Sequence, residues 1–212
     1  MVPARSKPGA PHLRALPSPE GGPQAELSDE RIISAVVRGD SSVADTLYDR
    51  CANVIDQTLY RVLGRRESDH EDLVQQSFEQ VVKTLSTKRF AGACSLRTWA
   101  SSIASNVALN ALRSRRRERK VFDRHAVDAD APSDDNPERD VAARGAFERL
   151  RYELSQMSPG RAEALLLHDV LGHDLAEIAA MTDTTVAAAQ SRLVRGRHEL
   201  RKRMRAGGES DE

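Results

Sequence analysis

Asp72, Gln75, Gln76 and Glu79 recur at i, i+3, i+4 and i+7, a spacing that sets two carboxylates and two amides in one stripe along a helix. Such a stripe is either an ordinary solvated face or a docking surface for a basic or polar partner helix, and spacing alone does not choose. A second set, Ser102, Asn106 and Arg113 with Asn110 at the margin, leads into Arg115, Arg116 and Arg117. Asparagine can bond base edges bidentately and arginine neutralises phosphates, so this helix suits a DNA groove. The preceding loop, Phe90-Ala91-Gly92-Ala93-Cys94, contains a glycine that permits close backbone approach. It can hold an unstacked base, and a plain interhelical turn fits the same residues equally well. Trp99 sits among core positions, which favours burial over stacking on a base.

Further along, Thr185, Ala187, Ala188, Gln190, Ser191 and Arg192 lie on the opening turns of another helix. Gln190 has the groups to pair with adenine, Ala187 or Ala188 can meet a thymine methyl, and Arg195, Arg197 and Arg201 are placed for phosphates. His168, His173 and Asp174 are close in sequence, but no further histidine or carboxylate pairing supports a metal or acid–base site. Binding rather than catalysis is the expectation, with no cofactor and no metal.

The elements that must carry these residues are helical. Ser28 can N-cap a first helix with Ile32, Ile33, Val36 and Val37 inward. In the helix from Asp72 to Leu85, the residues Val74, Phe78, Val81, Val82 and Leu85 fall opposite the polar stripe. Ser95 caps the next helix, whose core face is Leu96, Trp99, Ala100, Ile103, Ala104 and Val107, leaving Ser102, Asn106, Leu109 and Arg113 on the other side. Leu175, Ile178 and Ala179 mark a short amphipathic helix. Thr182-Asp183-Thr184 is a turn in which Asp183 can adopt the left-handed conformation, and Thr184 or Thr185 caps a helix with Val186, Ala189, Leu193 and Leu200 inward. Two helices joined by a tight turn, the second ending in dense positive charge, make a helix-turn-helix.

The 212 residues carry 32 basic and 32 acidic side chains, yet the neutral balance hides a strong asymmetry. Arg113 to Lys120 holds six basic residues against Glu118, Asp123 to Asp140 holds seven acids, and Arg192 to Arg205 holds seven basic residues against Glu199. Two basic poles separated by an acidic segment point to a polyanion partner. The 39% hydrophobic and 4% aromatic content argues against a thick β-sandwich or parallel sheet, and no apolar run reaches membrane-spanning length. Cys51 and Cys94 form neither a disulfide framework nor a metal cluster, so a reduced, cytoplasmic protein is expected. Pro3, Pro8, Pro11, Pro17, Pro19 and Pro23 predict a disordered tail over residues 1–26. The expected fold is all-α: a helical domain over 27–121, a flexible acidic linker over 122–140, a second helical domain containing the helix-turn-helix over 141–206, and a short tail over 207–212.

Together these segments resemble the extracytoplasmic-function class of sigma factors of the sigma-70 family. The resemblance rests on Asp72-Leu73-Val74-Gln75-Gln76, on Arg97-Thr98-Trp99 with Ile103-Ala104 and Asn106, on the Arg113 to Lys120 run, and on Glu177-Ile178-Ala179 with Ser191-Arg192-Leu193. It implies promoter-specific initiation by bacterial RNA polymerase. Asp72, Gln75 and Gln76, with Glu79 beside them, would grip the clamp helices of the polymerase β′ subunit, the β subunit completing the core partner. The Phe90 to Cys94 loop would capture a flipped minus-ten base, with Asn106, Asn110 and Arg113 on the adjoining helix. Thr185 to Arg197 would read the minus-thirty-five element, and the acidic tether would thread toward the RNA exit path. An anti-sigma protein is implied for members controlled that way.

The sequence also departs from the family pattern. Gln190 stands where lysine is common, Asp183 where glycine is usual, Thr182 in place of leucine, Asn110 in place of aspartate, and Ser101-Ser102 in place of a Leu-Tyr pair. The competing readings are a stand-alone helix-turn-helix regulator that never binds polymerase, and an adaptor whose basic runs meet acidic proteins.

Overall fold

The computed structural model describes residues 27–87, 90, 92–122 and 137–206, and these are helical with no strand among them. The expected tails at 1–26 and 207–212, Ala91, and residues 123–136 of the expected linker lie outside the described residues.

Helix α1 (Asp29–Val37) begins where Ser28 accepts the Arg31 N–H on its hydroxyl, as expected, with Asp29 and Glu30 complementing the positive end of the helix. A 3₁₀ turn at Ser41–Val43 leads into α2 (Ala44–Leu63), which stops at Gly64 in the left-handed conformation. Helix α3 (His70–Ser86) packs against α1, α2 and α4 (Leu96–Phe122). Asp29 ties this corner together: its carboxylate accepts from Arg50 on α2 at 3.0 Å and from the Leu96 N–H that opens α4 at 2.8 Å. The second half comprises α5 (Pro137–Gln156), α6 (Pro159–Leu165) continuing as a π-helical turn over Leu166–Val170, α7 (Leu175–Met181) and α8 (Val186–Ala206). The linker between helices is therefore shorter than 122–140: α4 continues to Phe122 and α5 already starts at Pro137.

Ile32, Leu47, Cys51, Ile55, Leu59, Val81, Leu85 and Leu96 are buried, and each large aliphatic side chain so removed from water contributes about 1.5–3 kcal/mol. The expected inner face of α4 is buried throughout, Trp99 included. Two expectations need correcting. On α3 the buried line is Leu73, Ser77, Val81 and Leu85, while Val74, Phe78 and Val82 are only half-buried. Ser77 is polar yet buried: its hydroxyl donates to the Leu73 carbonyl at 2.7 Å, which satisfies it inside the core. On α8, Val186 is 48% exposed rather than inward. Leu154, Met157, Ala162 and Leu165 of the second half join the same hydrophobic cluster as α2–α4, so the two halves share a core in this structure. No helix among the described residues is long and apolar enough to cross a membrane.

Candidate nucleic-acid and partner interfaces

The polar stripe on α3 stands in solvent. Asp72, Gln75, Gln76 and Glu79 are all exposed, and the Gln75 amide donates to Glu79 at 2.9 Å, an i,i+4 link that stiffens the ridge. The ridge borders an open groove of about 1000 Å³ between α2 and α3, floored by Tyr48, Ala52, Val74 and Phe78 and edged by Asn53, Asp56 and Glu71. Tyr48 and Phe78 meet edge to face at 5.2 Å. Asp56 accepts from Arg66 at 2.6 Å and is hydrogen-bonded to His70 at 2.8 Å, which holds α2 to the start of α3. Arg66 first and His70 second keep the Asp56 carboxyl below the usual carboxylate range. Sequence reasoning missed this groove; the available signal was Tyr48 and Ala52, an i,i+4 pair on α2 outside its Leu47–Cys51–Ile55 core line.

The loop and helix expected to meet DNA are positioned from within. Ser95 accepts the Thr98 N–H at 3.0 Å and so caps α4 as expected. Phe90 stacks on buried Trp99 with ring centroids 4.4 Å apart, which anchors one end of the loop. Gly92 has φ +71 with open space where a Cβ would be, and Ala93 is exposed. Along α4 the expected open face is covered in part: Asn106 and Asn110 remain exposed, as expected. Ser102 and Leu109 are buried, Asn106 donates to Glu163 of α6 at 2.6 Å, and Asn110 accepts from Arg113 at 3.1 Å. Arg113 also reaches the Met157 carbonyl at 3.5 Å. Arg115 pairs with Asp69 at 2.8 Å and Glu67 at 2.9 Å, Arg116 is half-buried in a cleft against α5, and Arg117 is exposed. The expectation that Ser102 is an exposed DNA-facing residue does not hold in this arrangement, because the second half of the chain packs over it.

The helix-turn-helix forms as expected from α7 and α8. Asp174 and Glu177 make a reciprocal capping box, each side chain accepting the other's backbone N–H, at 2.8 and 3.1 Å. Asp174, weighed in sequence only beside the histidines, is thus a helix cap. Asp183 has φ +49, and Thr185 caps α8 by accepting the Ala188 N–H at 3.1 Å. Leu167, Ile178, Ala179, Met181 and Ala189 close the small core that fixes the angle between the two helices. Thr185, Ala187, Gln190 and Arg195 are exposed, while Ala188, Ser191, Arg192 and Arg197 are half-buried. Arg197 turns back to its own chain, its guanidinium donating to Asp169 at 3.0 Å. That bond, ahead of His168, holds the Asp169 carboxyl low.

Two family models match the chain. Residues 47–118 match the model of Sigma-70 region 2, and residues 147–200 that of Sigma-70, region 4. The chain is 33% identical over 199 residues to the ECF RNA polymerase sigma factor SigG of Mycobacterium tuberculosis, an alignment covering 82% of this chain and 50% of that protein. The chain thus spans about half the length of that relative. It is 27% identical over 183 residues to the ECF RNA polymerase sigma-E factor of Haemophilus influenzae, covering 82% of this chain and 94% of the other. Among solved structures it is similar to CnrH, determined in complex with the cytosolic domain of CnrY. There the TM-score is 0.48 and the identity 22%, over 85% of this chain and 99% of that one.

Proposed function

This chain belongs to the sigma-70 family, in its extracytoplasmic-function group, and we propose that it directs core RNA polymerase to promoters and helps open them. The observation that carries this reading is one chain presenting an outward amide-and-carboxylate ridge on α3 together with a capped helix-turn-helix on which Thr185, Ala187, Gln190 and Arg195 are exposed. Residues 27–121 form the polymerase-binding module. The ridge Asp72, Gln75, Gln76 and Glu79, with the adjoining groove, seats on the β′ clamp helices. Exposed amides and carboxylates suit the polar flank of a basic helix, while Tyr48 and Phe78 supply apolar area.

The loop Phe90 to Ala93 and α4, through Asn106, Asn110, Arg113, Arg115, Arg116 and Arg117, act on the minus-ten element. A captured unpaired base offsets an unstacking cost of a few kcal/mol, which couples binding to strand opening. Residues 141–206 read the minus-thirty-five element: Gln190 and Ala187 meet base edges and Arg195 meets phosphate. No step of this scheme uses a catalytic group of the chain itself.

The test is transcription from candidate promoters by core enzyme with and without the protein, alongside co-purification with core. Promoter-dependent initiation is expected, and the paired Asp72→Ala and Gln75→Ala change lowers core affinity by about tenfold or more. Both side chains are exposed, so folding is unaffected. Normal function of that double variant would establish a stand-alone regulator instead.

A further inference from the structure

Where α5 packs against the second half of α4, a cavity of about 40 Å³ opens, floored by the buried side chains of Leu63, Leu112 and Ser155. One water needs about 10–15 Å³ by the same measure, so there is room for about three, the bulk of a tetrahedral oxyanion. Five arginines line the cavity, Arg65, Arg115, Arg116, Arg119 and Arg151, against the two carboxylates of Glu67 and Glu148.

Three of the arginines are already engaged. Arg65 and Arg115 both pair with Glu67, and Arg115 also reaches Asp69 at 2.8 Å. Arg151 donates to Glu148 at 3.2 Å and to the Val62 carbonyl at 3.1 Å. Its guanidinium lies over Gly64, where an added Cβ would come within 1.7 Å, so the approach needs glycine there. Arg116 is different. Its Nε is shut off from solvent and has no hydrogen-bond partner. Burial first, and then the charges of Arg116 and Arg117, push the pKa of neighbouring Arg113 down, so the positive potential at this end of α4 is not offset. A desolvated cationic donor without an acceptor is costly to keep. A water molecule accepts from Nε but brings no charge to a cleft where cations outnumber carboxylates.

We propose that this cleft binds a phosphate dianion, free or as the terminal phosphoryl group of a small phosphomonoester, with Arg116 as its central donor. Guanidinium edges match phosphate oxygens in pairs, and Arg151 is already fixed in place by the Val62 carbonyl. The cavity admits one phosphoryl group but not a duplex backbone, and an ester substituent leaves past the exposed Arg119 and Tyr152. The cleft lies apart from the α3 ridge and from the exposed residues that open α8. It shares Arg115 and Arg116 with the set assigned above to the minus-ten element, so a bound phosphate withdraws them from DNA. The binding itself does not rest on that assignment. A ligand that touches α2, α4 and α5 at once stabilises the folded chain in proportion to its occupancy.

The experiment titrates the full-length protein calorimetrically with inorganic phosphate at about pH 7.5, where the second proton is largely lost, with ionic strength held constant by sodium chloride. Arginine Nε–H spectra are recorded in parallel. Saturable binding at one site is expected, with a Kd of about 1 mM or tighter, a rise in Tm, and movement of one Nε–H resonance that is absent from Arg116→Gln. Arg116→Gln should weaken binding by about tenfold or more, yet melt no lower than the parent without phosphate, because it removes an unpartnered buried charge. Should that variant melt early, the Nε–H resonance of the parent decides. Arg31→Gln, exposed on α1, should bind within about twofold of the parent. Glycerol phosphate should bind like phosphate, and dimethyl phosphate, with one charge and two free oxygens, about tenfold more weakly. Absence of saturation by about 20 mM phosphate overturns the site, as does unchanged binding by a folded Arg116→Gln. Equal binding of dimethyl phosphate overturns the dianion assignment and makes the cleft a seat for a nucleic-acid backbone phosphate. None of these readouts uses polymerase or promoter, so failure of the sigma-factor reading would leave them intact.

Discussion

Gln190 and Arg195 are both exposed on the first half of α8, but they differ in what they can tell DNA apart by. A glutamine amide matches the donor–acceptor pair of adenine, so Gln190→Ala should cost about 1–3 kcal/mol at one base position and little elsewhere. A guanidinium aimed at phosphate carries no sequence information, so Arg195→Ala should weaken binding to all sequences alike and reduce the salt slope by about one. Titration of the two variants against single-base changes in the minus-thirty-five element, at several salt concentrations, separates the roles. Glu163 yields a prediction of a different kind. Burial pushes its carboxyl up, against the smaller pull of Asn106 and Arg192. A carboxyl whose folded pKa lies above its unfolded one contributes its full stability below the unfolded value and loses it as pH rises through the folded one. Glu163→Gln should therefore leave Tm unchanged near pH 4 and raise it at pH 8, as paired thermal melts would show. At this scale the caps Ser28, Ser95 and Thr185 and the left-handed Asp183 were legible, because each depends on neighbours within four residues. The Asn106–Glu163 bond was not, because its partners lie 57 residues apart.

Among the elements, α7 is the one most dependent on its ends. It has seven residues, too few for helix propensity to sustain it, so the Asp174–Glu177 box and the small core behind Ile178 must do so. Asp174→Ala should cost about 1 kcal/mol, lowering Tm by about 3 °C, and should loosen the register of α8 on DNA in a binding assay. Its Tm effect should survive high salt, because a cap is a short-range bond. Periodicity located α3, α4, α7 and α8 correctly, since each has a strong apolar stripe. It misjudged their rotation where an element is gripped from two sides. Helix α3 lies against α1, α2 and α4 and buries Leu73 and Ser77, which a one-sided stripe would place at the edge. Helix α4 is covered on both sides, so the short polar side chains Ser101, Ser102 and Ser105 are buried together with its apolar ones. Small hydroxyls that bond back to their own helix look like surface in a sequence but fit a tight helix–helix contact.

For the molecule as a whole, the two arginine-bearing modules and the acidic stretch between them were legible as composition, whereas the closed packing of the modules was not, since it depends on long-range contacts. The segment joining α4 to α5 is 14 residues long, 123–136, with a contour of about 50 Å when extended. Two promoter elements two helical turns apart are separated by about 70 Å, so the helices flanking the segment must supply the rest of the reach. A tether that cannot span its sites drops the effective concentration of the second module toward zero, whereas one of matched length keeps it high. Deleting residues 126–135 shortens the contour by about 35 Å. The α3 ridge is untouched, so core affinity should stay within about twofold of the parent, while transcription from a two-element promoter should fall by more than about tenfold. Restoring ten residues as a glycine–serine segment should recover activity, because reach rather than acidity is what the deletion removes. Recovery with the acidic sequence alone would give the carboxylates a role of their own, and full activity of the shortened chain would show that the two modules do not hold one duplex at the same time.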